Sequence, residues 1–218
     1  MKKGKIILGG GGDIDISVGI DKKYFSLLKN NSKILYIPIA LNRTKTGFEA
    51  SYDWFSTVIV KHSNQKDIDF TMLLEDDEIP DLKLYDSIYM GGGNTYKLLN
   101  YIKKSGLDEK IKTFIKNGGI VYGGSAGAII LGKDIRTVEE ENDSNYSYYE
   151  GLNLLGGKSV ICHYKEEADK NVYKTIKKTK SEVLALPEDS GMILDSEGKM
   201  EEKVGTIYIF NENNKSQL

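Results

Sequence analysis

The 218 residues carry 30 lysines and arginines against 32 aspartates and glutamates, a formal net charge of −2. That balance gives no electrostatic basis for binding nucleic acid or an anionic membrane, and the interleaved lysines and acids read as a solvated surface. A single cysteine, Cys162, excludes an internal disulfide and a cysteine-rich metal site, and no apolar stretch approaches the ~20 residues needed to span a bilayer.

The length suits one domain over residues 1–218 with a full core. The start, Met1-Lys2-Lys3-Gly4-Lys5, is basic, but the apolar run after it is too short for a signal peptide. It reads as a first strand, and the protein as cytoplasmic. Residues 5–8 form that strand and open into Gly9-Gly10-Gly11-Gly12. No Gly-x-Gly-x-x-Gly opens a helix there, so the loop reads as a flexible strand-to-helix connection rather than a phosphate cradle.

Residues 21–29, with Tyr24, Leu27 and Leu28 at helical spacing, predict a helix, and residues 34–39 a second strand. Residues 48–60 predict another helix, and residues 68–74 a third strand. Pro80 and the acids around it mark a loop. Ser87–Met90 is a short strand feeding Gly91-Gly92-Gly93-Asn94-Thr95. Asn94 can cap the helix that follows, whose apolar stripe is Tyr96, Leu98, Leu99 and Ile102. Leu107–Lys116 is a second amphipathic helix, stopped by Asn117-Gly118.

The chain is organised around Ile120-Val121-Tyr122-Gly123-Gly124-Ser125-Ala126-Gly127-Ala128. An apolar strand stops at two glycines, presents one serine and resumes as small helix-compatible residues. Gly123-x-Ser125-x-Gly127 fits a nucleophile elbow, with the first N–H groups of the next helix beside the hydroxyl. An ordinary strand-to-helix turn in a glycine-rich chain is the alternative.

Beyond Gly132 the period is lost, and residues 139–149 read as a polar loop. Residues 160–162 predict a strand with His163 at its exit, and residues 166–178 a helix. Buried packing is the reading for Cys162. Short β-branched runs from residue 183 to 210 predict a terminal meander of antiparallel strands, and residues 211–218 a frayed tail. Alternating strands and helices over the first part of the chain argue for a parallel sheet covered on both faces. Its glycine-containing strand exits then converge on one edge.

A serine nucleophile needs a base, and the chain has two histidines. His62 ends a predicted helix among polar residues and reads as solvated. His163 lies at a strand exit on the edge where Ser125 should be. A third group could come from Glu139-Glu140-Glu141 or from Glu188.

Together, Tyr89-Met90-Gly91-Gly92-Gly93-Asn94-Thr95-Tyr96-Lys97-Leu98-Leu99, the Ser125 elbow and Ile135-Arg136-Thr137 resemble peptidase E, a family of serine peptidases that also includes the cyanophycinases. The resemblance implies a flavodoxin-like three-layer α/β sandwich with a mostly parallel sheet, like that of the class I glutamine amidotransferases, and C-terminal antiparallel strands. It puts the nucleophile on Ser125, the histidine on His163 and the oxyanion hole on the backbone N–H groups of Gly92 and Ala126. Gly91, Asn94 and Arg136 become expected substrate-binding residues. The family's aspartate after Ile-Arg-Thr falls on Glu140, which is therefore preferred over Glu188. The family's arginine-containing segment after the histidine is here Tyr164-Lys165-Glu166-Glu167-Ala168-Asp169-Lys170, without arginine. Lys165 or Lys170 could receive a carboxylate in its place.

The expectation is a serine exopeptidase of short peptides, with a preference broader than, or shifted from, Asp-X dipeptides, needing no metal or organic cofactor. Its partner is a small peptide substrate, with neither nucleic acid nor membrane, and a homodimer is left open. The alternatives are a peptide- or amino-acid-binding protein without turnover and a hydrolase of β-aspartyl or cyanophycin-like substrates.

Overall fold

Strand β1 (Lys5–Gly9) is almost wholly buried, and β2 (Ser32–Ile37), β4 (Ser87–Met90) and β5 (Ile120–Gly124) nearly so. Strands with no solvent face belong inside a sheet covered on both sides. The computed structural model, which describes residues 3–41, 45–138, 142 and 145–218, joins them with β3 (Ile68–Met72) in a parallel array ordered β3-β2-β4-β5-β1. Strands β8 (Gly191–Asp195) and β9 (Met200–Val204) extend it antiparallel beyond β1.

The order of crossovers decides the layers. From β1 the chain moves toward one edge, through α1 (Val18–Leu27) to β2 and through α2 (Lys45–His62) to β3. It then reverses, reaching β4 and passing through α3 (Thr95–Lys104) and α4 (Leu107–Lys116) to β5. Right-handed crossovers running in opposite directions place their helices on opposite faces. Alternate strand residues follow. Ile7, Tyr36, Tyr89 and Tyr122 pack with Tyr24 and Phe55 of α1 and α2. Ile6, Leu8, Met90 and Val121 pack with Leu98, Ile111 and Ile130 of α3, α4 and α5 (Ala126–Leu131). This is the expected flavodoxin-like three-layer sandwich. No helix among the described residues is long and apolar enough to cross a membrane.

A smaller sheet holds β6 (Ser159–Ile161), β7 (Val183–Ala185), β10 (Tyr208–Phe210) and β11 (Lys215–Gln217) in the order β11-β10-β7-β6. Helix α6 (Asp169–Thr179), entered through a 3₁₀ turn at Glu166–Ala168, buries Val172 and Ile176 against Val183, Ala185 and Phe210.

Three expectations need correction. The terminal strands are not one meander: β8 and β9 belong to the large sheet, β10 and β11 to the small one, and β7 runs parallel to β6. Local alternation reports that a run is a strand but not which neighbour it pairs with. The tail is tied down, because Lys215 of β11 reaches Asp169 at 3.1 Å and lies over the Tyr208 ring at 4.5 Å. His62 is buried rather than solvated. The last turn of α2 folds it onto Asp21, whose Oδ2 stands 3.0 Å from His62 Nδ1.

Asp21 also accepts hydrogen bonds from Ser17 and Tyr122, each at 2.7 Å. Removing this shared acceptor leaves buried donors unsatisfied, typically a loss of about 1–3 kcal/mol. Asp21→Ala is therefore expected to lower the unfolding free energy by at least that much, read from urea denaturation midpoints against the parent chain.

Candidate active site

Two glycines shape the turn that carries Ser125. A Cβ on Gly123 would stand 2.4 Å from the Gly127 carbonyl oxygen, and one on Gly127 2.3 Å from that of Met90. Only glycine lets strand and helix cross so closely. Between them Ser125 adopts φ +50 and ψ −113, a conformation that costs of order 1–3 kcal/mol for a residue with a side chain. Its N–H donates to the Gly9 carbonyl at 3.2 Å, which fastens the turn to the end of β1.

The base comes from the other sheet. Ile161 of β6 pairs with Ala185 of β7 in parallel register, so the residues leaving both strands emerge side by side. His163 leaves β6 with φ +53, and Glu188 follows Pro187 out of β7. His163 Nε2 lies 2.8 Å from Ser125 Oγ, and His163 Nδ1 lies 2.9 Å from Glu188 Oε1. An ionised carboxylate only accepts, so Nδ1 carries the proton and Nε2 is left to accept from the serine hydroxyl.

The glycine loop after β1 braces this arrangement. Gly10 N–H donates to the Ser190 carbonyl at 2.9 Å, Gly12 N–H donates to that of Glu188 at 3.2 Å, and the Gly10 carbonyl accepts from His163 N–H at 2.9 Å. Gly11, at φ +102, passes so close beneath the pair that a Cβ there would stand 2.5 Å from His163 Nε2 and 3.0 Å from Ser125 Cβ. The loop read as a flexible connection is thus a hydrogen-bonded strut. The signal that could have revealed it was the unbroken glycine run itself.

Residues 6–202 match the sequence model of peptidase family S51. The chain belongs to peptidase family S51. It is similar to an uncharacterized peptidase of Listeria monocytogenes, 33% identical over 99 residues, which is 44% of this chain and 48% of that protein. It is also similar to peptidase E of Shewanella denitrificans, 28% identical over 130 residues, 59% of this chain and 53% of that one. The chain spans about half the length of the curated relatives it matches. The crystal structure of a peptidase from an acI-B1 actinobacterium superposes with a TM-score of 0.73 at 20% identity, covering 99% of this chain and 94% of that one. At that identity the likeness speaks for the fold.

In this S51 chain the other expected site residues lie as follows. Gly92 abuts the serine, since a Cβ on it would stand 3.1 Å from Ser125 Cβ and 3.6 Å from Oγ. Ala126 is the first residue of α5, whose leading N–H groups have no carbonyl before them in the helix. Gly91 lines a hollow beside Ser125 on the α1–α2 face of the sheet. Asn94 accepts from Lys97 N–H at 2.8 Å, so its side chain caps α3. Glu140 lies outside the described residues.

Ser125 and His163 also border a cleft of about 1030 Å³ running toward α6. Among the described residues, Arg136, Lys165, Lys174 and Lys178 line it, against one carboxylate, Glu167. Lys170 is not among its lining residues. Arg136 is held by Asp134, whose carboxylate accepts its Nε at 3.0 Å and its Nη2 at 2.5 Å. Lys174 and Lys178 escaped the sequence reading, although their i, i+4 spacing on a helix puts them on one face. Thr137 Oγ1, in the cleft wall, is buried with no hydrogen-bond partner among the described residues.

Cys162 is buried, and burial pushes its thiol up to about 12. The thiolate fraction in the folded protein is then negligible at pH 8, rising only as pH nears that value. Iodoacetamide is expected to leave Cys162 unmodified in the native protein at pH 8 and to alkylate it within minutes in urea, read by intact mass.

Proposed function

We propose that the chain is a serine exopeptidase of short peptides, with Ser125 as nucleophile, His163 as general base and acid, and Glu188 as the acid that orients the imidazole. The observation that carries this reading is the relay from Ser125 Oγ to His163 Nε2 at 2.8 Å and from His163 Nδ1 to Glu188 Oε1 at 2.9 Å. Membership of peptidase family S51 supports it. Glu188 replaces Glu140 as the third member because it occupies the position on Nδ1 that the role requires.

The chemistry follows from the geometry. As Ser125 Oγ attacks the scissile carbonyl, its proton passes to His163 Nε2. The carbonyl oxygen becomes an oxyanion facing the N–H groups of Gly92 and Ala126, each such donor being worth about 3 kcal/mol. The carbon–nitrogen bond then breaks as His163 returns the proton to the leaving amine. Water, deprotonated by the same imidazole, hydrolyses the acyl-serine and restores the hydroxyl. Cys162 has no part in this, being buried one residue past β6 and not at the elbow.

The cleft's charge points to substrates bearing carboxylates. Among the described residues, three lysines and the Asp134-paired Arg136 line the cleft against one acid, Glu167, so an acidic side chain or terminus gains where a basic one is repelled. The Thr137 hydroxyl supplies a further polar contact once a substrate group reaches it.

Fluorophosphonate labelling with site mapping is expected to modify Ser125 alone, and Ser125→Ala to abolish both labelling and peptide hydrolysis while melting like the parent. Glu188→Gln is expected to cut kcat by as much as about 10⁴-fold, with Glu140→Gln far milder. A severe loss at Glu140 only would return the third position to that residue.

Acidic dipeptides are expected to outrun basic ones, with the gap narrowing as salt rises. Lys174→Met combined with Lys178→Met should cost acidic substrates about three- to tenfold in kcat/KM, measured against an uncharged dipeptide that is unaffected.

A further inference from the structure

The cleft toward α6 has two ends, and β6 shows how far apart they are. His163 leaves one end of that strand, 2.8 Å from Ser125. Ser159 begins the other end. Its hydroxyl pairs with that of Ser181 at 2.7 Å, and Ser181 pairs with Thr179 at 2.9 Å. Those bonds bring the last turn of α6 to Ser159, and Lys178 with it. His163 follows Ser159 by four residues, which in a strand is roughly 13 Å. Lys178 therefore lies at the end of the cleft remote from the serine, with Lys174 one turn nearer. Lys165, two residues past His163, lies at the near end.

Charge is distributed unevenly along this length. Glu167, the one acid of the wall among the described residues, sits in the 3₁₀ turn before α6, beside Lys165 at the near end. The remote end has Lys174 and Lys178, and neither is in an ion pair among the described residues. Between the ends, Thr137 Oγ1 is buried in the wall without a partner, a polar atom that a peptide N–H or carbonyl can satisfy.

The imidazole decides which part of a substrate enters. His163 must reach the nitrogen that leaves, and it lines the cleft but not the hollow on the α1–α2 face. The chain attached to that nitrogen is therefore the part that runs into the cleft. In a dipeptide this chain is one residue, at most about 3.6 Å long, and it stops near Lys165. A chain of three or four residues spans about 10–14 Å and reaches Lys178. Resting on the peptidase reading, we propose that the cleft seats a leaving chain of three or four residues and that its remote end selects a carboxylate there. The preferred substrates are then peptides of four or five residues with an acidic group at the far position, rather than dipeptides. Both lysines are exposed, so the selection is moderate and weakens with salt.

The test uses peptides with one common first residue X and amidated carboxyl termini: X-Ala, X-Ala-Ala-Ala, X-Ala-Ala-Glu and X-Ala-Ala-Lys. Release of X is followed at low salt. X-Ala-Ala-Ala is expected to exceed X-Ala at least about tenfold in kcat/KM, and glutamate in fourth place to exceed lysine at least about threefold. Lys178→Glu, verified as folded by thermal melting, should reverse the fourth-place preference. The same variant should leave the ratio of X-Glu to X-Lys within about twofold of the parent's. A dipeptide cleaved as well as the tetrapeptides, or a fourth-place preference unchanged in Lys178→Glu, overturns the proposal. If the parent cleaves no peptide and takes no fluorophosphonate label, calorimetry on the same chains decides. Tighter binding of X-Ala-Ala-Glu than of X-Ala-Ala-Lys and X-Ala, with the glutamate preference reversed in Lys178→Glu, keeps the seat while the catalytic reading falls. Equal binding of all the peptides, or none, overturns the seat as well.

Discussion

The backbone of Gly10 joins the two sheets where they matter. Its N–H donates to Ser190 after β7, and its carbonyl accepts from His163 after β6. Through those bonds the end of β1, which already holds the Ser125 N–H, also holds the histidine that faces the serine hydroxyl. Backbone bonds of this kind fix position without side-chain freedom, so Ser125 and His163 are registered by the ladder rather than by their own rotamers. The local strain supports the same view. Ser125 and His163 both sit at positive φ, which persists only where surrounding bonds over-determine it.

Around that fixed centre the charge is divided by the sheet itself. The cleft toward α6 gathers Arg136, Lys165, Lys174 and Lys178, whereas the hollow on the α1–α2 face gathers aromatic rings and the oxygen atoms of Asp13 and three tyrosines. The buried Asp21 lies behind the tyrosine wall and sets the direction of its hydroxyl protons, with His62 and Ser17 as its other partners.

Much of the fold could be read from residues alone, because it depends on local pattern. Apolar runs buried on both faces, the Asn94 cap and the Asn117-Gly118 stop each carry their own short-range physical signature. The tight strand-to-helix turn at Ser125 was equally legible, since Gly123 and Gly127 are demanded by contacts within the turn and with adjacent Met90. What could not be read was pairing. Strand β7 joins β6 in parallel while β8 crosses to β1, and nothing within either run distinguishes the two fates.

By itself the sequence determined a parallel α/β sheet, a serine presented at a strained strand-to-helix turn, and a histidine at another strand exit. Tertiary structure alone decided which acid meets that histidine. Glu188 and His163 are 25 residues apart, and they come together because parallel pairing of β6 with β7 sets their exits side by side. It alone turned the glycine run into a strut and buried His62 on Asp21. Each of these outcomes is a long-range contact. Such contacts depend on which elements the whole core brings together, and a short-range pattern of residues does not carry that information.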